Sequence, residues 1–206
     1  MSGVSLNVKV TGDADLQGLL ARVTGPGALR SLHAAMGVQV KEKIFTHLVG
    51  EAASRHTTAS RLGATPSGHL EQMARAVETT LVSADDQAAT LTINHPGIGR
   101  ALHDVTIVPV NAKALAIPVN ALAYNRRPGQ FARDAMFVWQ SKTTGNAFLA
   151  MRQPEKTMMP VLMYLLVRSV TQKQDRTLLP SAAELSDAGA KGALNWFHRQ
   201  MNEASR

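Results

Sequence analysis

Between Leu29 and Leu48 apolar side chains recur at steps of three or four: Leu29, Leu32, Met36, Val40, Ile44 and Leu48. Only an α-helix gathers such a series on one face, so the spacing predicts one long amphipathic helix from about Ala28 to Val49. A helix of that length needs a partner surface, and the rest of the chain has the material for one. It has 206 residues, 45% of them hydrophobic and 18% charged, the balance of an ordinary folded domain that can bury a core without staples.

The elements around this helix are mixed. Val4, Leu6, Val8 and Val10 alternate with polar residues as in a half-buried edge strand, and a short helix follows from Asp15 to Val23, stopped by Thr24-Gly25-Pro26-Gly27. Residues 51–66 are polar and without period, and are expected to form an exposed loop. Ser67 can cap a helix carrying Leu70, Met73 and Val77. Two hairpins are expected: Thr79–Ala84 with Ala88–Ile93 around Asp85-Asp86-Gln87, and Met136–Gln140 with Ala147–Met151 around Thr143-Thr144-Gly145-Asn146.

Between them, residues 94–128 are rich in Pro, Gly and Asn, with apolar bursts at Val105–Val110 and Ala114–Val119. Pro109 and Pro118 push these bursts towards edge strands or an extended arm, since proline cannot donate to a central ladder. Val161–Val170 is nearly all large or β-branched, as in the central strand of a sheet. Pro180 and Ser181 open a last helix to about Met201, whose Gly189 and Gly192 suggest the close approach of another backbone, that of a second subunit. The expectation is a single α+β domain over 1–206: a mixed or antiparallel sheet, a long N-terminal helix, a C-terminal helix packed on one face, an exposed loop at 51–66 and an extended Pro-rich arm at 94–128.

The chain has no cysteine, which excludes disulfides, thiolate zinc sites, thiol nucleophiles and iron–sulfur clusters, and suits a reducing compartment. Met1–Val10 lacks the apolar core of a signal peptide, and the longest apolar run, Met158–Val167, is too short to span a membrane. Synthesis in a cytoplasm is the expectation. The net charge of +7 favours an acidic partner, but the basic residues are scattered, apart from Arg126, Arg127 and Arg133. Those three could contact phosphates or pair with a neighbouring subunit.

Complete catalytic motifs are lacking. None of the seven histidines belongs to H-E-x-x-H, and no metal or cofactor is expected. The closest pair, His95 and His103 with Asp104 beside the second, is the only visible basis for hydrolase chemistry. His95-Pro96-Gly97-Ile98-Gly99-Arg100 has G-x-G spacing but lacks the third glycine and a clear following helix, so it is no dinucleotide fingerprint. Asp85 and Asp86 serve a turn, and Ser67, Ser141 and Ser181 lack the G-x-S-x-G elbow.

Three blocks carry a family likeness: residues 95–103 (HPGIGRALH), 113–118 (KALAIP) and 175–180 (DRTLLP). With the order of elements they resemble tailed-phage virion-morphogenesis proteins, the minor tail, neck and tail-completion or terminator-like group. The blocks cover roughly the C-terminal half, and the N-terminal half matches only in its pattern of elements. The segment 94–128 is longer than in the commoner members, which leaves the layer of the joint open.

The resemblance implies a non-enzymatic virion component forming a homo-oligomeric ring, often six-fold, at the head–tail junction. Its implied partners are tail-tube and head-completion or connector proteins, with DNA as passing cargo and no membrane. Arg126, Arg127, Arg133, Pro109, Pro118, Gly189 and Gly192 are then the candidates for subunit interface or DNA lumen. The alternatives are a basic nucleic-acid-binding protein and a hydrolase using His95, His103 and Asp104.

Overall fold

A computed structural model describes residues 23–55, 57–153 and 159–204. The expected strand at Val4–Val10 and nearly all of the helix at Asp15–Val23 lie outside them. In chain order the elements are α1 (Ala28–Ser54), α2 (Thr57–Leu62), α3 (His69–Thr79), β1 (Val82–Ala84), β2 (Ala89–Leu91), α4 (Gly99–Leu102), β3 (Val105–Ile107), β4 (Leu115–Pro118), β5 (Met136–Gln140), β6 (Ala147–Met151), β7 (Val161–Val167), β8 (Val170–Gln172) and α5 (Ala182–Ala204). The class is α+β, and every strand pair among the described residues is antiparallel.

The chain groups into two compact units. The first takes residues up to His47, Ala74–Asn94 and Leu179 onwards; the second takes Leu48–Met73 and His95–Leu178.

In the first unit the body of α1 is contacted by a hairpin and by α5. A Cβ on Gly37 of α1 would lie 2.5 Å from Val82 Cγ1 and 2.9 Å from the Ala89 Cβ, so the β1–β2 hairpin rests directly on that glycine. The hairpin turn is closed by Asp85, whose Oδ1 accepts from the amides of Gln87 and Ala88 at 2.8 Å. His33 Nδ1 donates to the Asp85 carbonyl at 2.8 Å, and Lys41 Nζ to the Thr80 carbonyl at 2.9 Å.

A Cβ on Gly192 of α5 would come within 2.7 Å of the Ala35 carbonyl oxygen and 2.8 Å of Met36 Cα. This corrects the expectation that Gly192 awaits another subunit, since its small size is used by α1 of the same chain; at Gly189 a Cβ would make only ordinary contact, 3.8 Å from Met36 and Val40. Trp196 is buried beside them and donates through Nε1 to Ser31 Oγ at 2.9 Å. The α5 N-terminus is the expected one: Ser181 and Glu184 form a reciprocal capping box, and Lys43 reaches Glu184 at 2.8 Å. The Lys43 hydrogen bond first, then the bonds from Ser181, take the Glu184 carboxyl down to about 2. With neighbours on two sides, α1 is half-buried along much of its circumference, while Leu29 at its start is exposed.

The second unit holds a four-stranded sheet in the order β4-β7-β6-β5. The β5–β6 hairpin has the predicted bounds, and Gly145 takes the left-handed conformation (φ 70°) that its tight turn requires. β7 lies inside the sheet as predicted, but the apolar run divides at Arg168-Ser169. Residues 170–172 leave as β8 to pair with β3 in a separate ribbon, where Thr106 and Thr171 face each other at 3.1 Å. Met163 and Tyr164 of β7 and Ala123 form the core, with Phe131 set edge-on to Tyr164. Burying a side chain of this size contributes about 1.5–3 kcal/mol.

Two expectations are corrected here. Residues 51–66 are not a continuous exposed loop, because α1 runs on to Ser54 and α2 occupies Thr57–Leu62. Ala52 and Ala59 carry the burial there, at 4% and 2% exposure, and single alanines leave little periodic trace in a polar stretch. Residues 94–128 are tied in: β3 pairs with β8, and β4 is an outer strand beside β7. Both apolar bursts thus take the edge-strand form that their prolines allow. In addition, α3 starts two residues after Ser67, with the Gly68 carbonyl accepting from Gln72.

Candidate functional site

The basic cluster is only partly gathered. After the 3₁₀ turn Ala121–Ala123, Arg126 lies with its guanidinium 5.7 Å from the Phe131 ring centre, and its carbonyl accepts from Tyr164 Oη at 3.0 Å. Arg126 is therefore partly engaged with the chain's own aromatic residues. Arg127 is exposed, and its amide donates to Gln130 Oε1 at 2.7 Å. The Arg133 side chain lies outside the described residues. Pro109 is half-buried in the segment leaving β3, and Pro118 closes β4 opposite Tyr164.

His95, His103 and Asp104 have separate tasks, which gives the hydrolase reading no support. Asp104 accepts from Lys173 Nζ at 2.8 Å and from the Gln174 amide at 2.7 Å, anchoring the start of β3 to the residues after β8. The Lys173 hydrogen bond is the main reason its carboxyl sits below the ordinary range. His95 Nδ1 accepts from the Gly97 amide at 3.1 Å, capping the 3₁₀ turn Pro96–Ile98, and its ring lies 5.2 Å from that of His69. His103 is exposed at the end of α4. A helix does follow the G-x-G stretch, but it has four residues, too short for a phosphate-binding helix start.

Sequence reasoning did not find the ion-pair cluster around Asp175. Arg55 Nη1 donates to Asp175 Oδ2 at 2.6 Å, Nε to Glu51 at 2.5 Å, and Nη2 to Thr177 Oγ1. Arg100 approaches Asp175 at 3.8 Å. Burial works to raise the Asp175 carboxyl, but the Thr177 hydroxyl, Arg55, the Thr177 amide and Arg100 outweigh it and hold the group below its usual range. The cluster borders a cleft of about 330 Å³ that also takes in Thr58, Ser67, His69 and Tyr124. Arg55 and Arg100 both face carboxylate within the chain, so the cleft offers an anion little unshared positive charge. Among the described residues no group of three or more His, Asp or Glu is set to hold a metal ion, and no helix is long and apolar enough to cross a membrane.

A different surface stands out on the second unit. Val108, Val110, Val119 and Leu122, from the segment around β3 and β4, are 56%, 90%, 37% and 54% exposed. Ile117 on β4 is 36% exposed, and Val138 on β5 is 65% exposed. β4 and β5 are the two outer strands of the sheet among the described residues. Comparison with family models, with curated proteins and with solved structures finds no match.

Proposed function

We propose that this chain is a structural subunit of a tailed-phage virion: a ring-forming tail-completion, terminator or neck protein at the head–tail junction, working by assembly and not by catalysis. The phage assignment rests on the likeness of residues 95–103, 113–118 and 175–180. The observation that carries the ring is the pair of outer strands flanked by exposed apolar residues. Unpaired strand edges are templates for association, and a chain that leaves apolar side chains beside them invites a partner.

The strand directions favour a second copy. In the order β4-β7-β6-β5 all pairs are antiparallel, so β4 and β5 run antiparallel to each other. Laying β4 of one copy beside β5 of the next continues the alternation. Each copy then gives one edge and accepts the other, the heterologous contact that closes into a ring. Tail-tube and head-completion or connector proteins would be the neighbours above and below, and DNA the cargo passing through.

The absence of cysteine makes a clean test possible. Within one copy β4 and β5 are three strand spacings apart, roughly 14 Å, beyond the reach of a disulfide. A variant carrying both Ala116→Cys and Val138→Cys, positions that share one face of the sheet, should therefore link only between copies. The expected result on oxidation, or with a short thiol-reactive linker, is a ladder of covalent multimers ending at the ring size, with single variants giving no more than dimers. A double variant that stays monomeric contradicts the edge-to-edge contact.

A further inference from the structure

The surplus of positive charge belongs to one unit. The second unit carries thirteen Lys and Arg against six Asp and Glu, while the first carries nine of each sign. Part of that surplus is left open at one end of the four-stranded sheet. β4 starts there with Leu115 opposite Val167, where β7 finishes, and the β5–β6 turn lies at the same end, because Ala147 pairs with both Gln140 and Leu166. Three separate segments thus bring Lys113, Lys142 and Arg168 to one end of the sheet. All three are exposed, and none makes an ion pair or side-chain hydrogen bond among the described residues. Residues 111–115, 140–147 and 166–170 contain no Asp or Glu that could pair with them. The opposite end differs: Arg152 follows β6 with its guanidinium 5.2 Å from the Phe137 ring centre, and the exposed Asp134 stands just before β5.

We propose that Lys113, Lys142 and Arg168 form a contact surface for the phosphate backbone of duplex DNA. Neighbouring strands lie about 4.8 Å apart, so the three positions spread over roughly 10–15 Å across the sheet. That is about the axial rise of three to four phosphates on one DNA strand. Exposed Asn111, Thr143 and Ser169 stand among the cations and supply neutral donors to phosphate oxygens. The three stretches hold no aromatic residue on which an unpaired base could stack, so the contact is with the backbone of a duplex and carries no sequence preference.

The frame under these side chains is firm. In the β5–β6 turn the Ser141 amide donates to the Asn146 carbonyl and the Gly145 amide to the Ser141 carbonyl, both at 2.9 Å, while the Thr144 amide donates to Ser141 Oγ at 3.2 Å. Lys142 is therefore presented by a closed turn, and binding costs the order of a side chain and not of a loop. The strand directions add a consequence. β5 finishes and β4 starts at this end, so laying β4 of one copy antiparallel beside β5 of the next brings the basic ends of both copies to the same side. In a ring the three cations of every copy then stand on one rim, where their attraction for a polyanion adds up. That rim rests on the proposed edge-to-edge ring, whereas the contact with phosphate belongs to each copy.

The test is fluorescence anisotropy of a labelled mixed-sequence duplex titrated with the full chain between 50 and 200 mM salt, with light scattering on the same samples for mass and circular dichroism for folding. In the parent protein the affinity should fall as salt rises. The triple variant Lys113→Gln, Lys142→Gln, Arg168→Gln should keep the parent's mass, bind at least tenfold more weakly at the lowest salt, and lose about one from the slope of log K against log salt for each cation removed per bound copy. A variant of equal charge change on exposed residues of the first unit, Arg75→Gln, Lys191→Gln and Arg199→Gln, should keep nearly the whole affinity and slope. No binding by the parent, an unchanged triple variant, or an equal loss in the first-unit variant would overturn the assignment. So would polyglutamate displacing the duplex at equal charge concentration, which would mark a surface for an acidic protein. A parent that is monomeric but binds DNA through these residues would keep the contact and remove the ring.

Discussion

The two units are held together in different ways. In the first, helix meets helix and hairpin through glycines, and the contacts at Gly37 and Gly192 are so close that no side chain fits. In the second, strand ladders supply the frame, and the segments around them are fastened by carboxylates: Asp104 to Lys173 and Gln174, and Asp175 to Arg55 and Thr177. The first unit should therefore be sensitive to added volume, and the second to loss of negative charge.

The largest expected effect is at Gly192. Replacing it with leucine drives a side chain into the backbone of Ala35 and Met36, which has little room to yield, and should cost about 3 kcal/mol in chemical denaturation. A smaller cost, about 2 kcal/mol, is expected for Asp175→Asn, which removes the charge facing Arg55 and Arg100. Hydrogen exchange sharpens the contrast. Asp175→Asn should raise exchange around residues 95–104 and 173–177 and leave the α1 and α5 amides of the first unit unchanged, whereas Gly192→Leu should do the reverse.

Acid should separate the units further. Asp104 and Asp175 both have carboxyls lowered on folding, so their stabilisation is complete above the unfolded pKa near 4 and is lost as pH falls through the lower folded values. In the first unit Glu184, taken down to about 2, holds its cap to lower pH. The expected result is a melting temperature that is level above about pH 5 and falls below about pH 4, with a shallower fall in Asp175→Asn. The smallest effect, about 1 kcal/mol, is expected for Gly97→Ala. There the new methyl meets the side chains of His69, Met73 and His95, not backbone.

What the sequence revealed follows from how local each signal is. The β5–β6 hairpin was readable because two short apolar, aromatic-bearing runs flank a Thr-Thr-Gly-Asn turn within one stretch, and the α5 start because Ser181 and Glu184 are three residues apart. The β3–β8 ribbon was not, since two three-residue strands are selected by partners 65 residues apart at Thr106 and Thr171. Arg55 was visible only as a charge in a polar stretch, because its partner Asp175 stands 120 residues away. Gly189 and Gly192 announced a close packing contact, but composition alone does not say whether the approaching backbone belongs to the same chain. His69 and Met73 show their helical spacing in the sequence, while their meeting with His95 depends on where the chain turns at Gly97.

The central claim is that this chain works as an assembled ring. The direct measurement is the mass and shape of the purified protein, by light scattering with negative-stain imaging, at low and high salt and with and without tail-tube protein. The account predicts closed rings of about six copies, alone or on addition of tail-tube protein. A compact monomer that ignores tail-tube protein and instead shifts DNA with a steep salt dependence would contradict it and make the chain a nucleic-acid-binding protein.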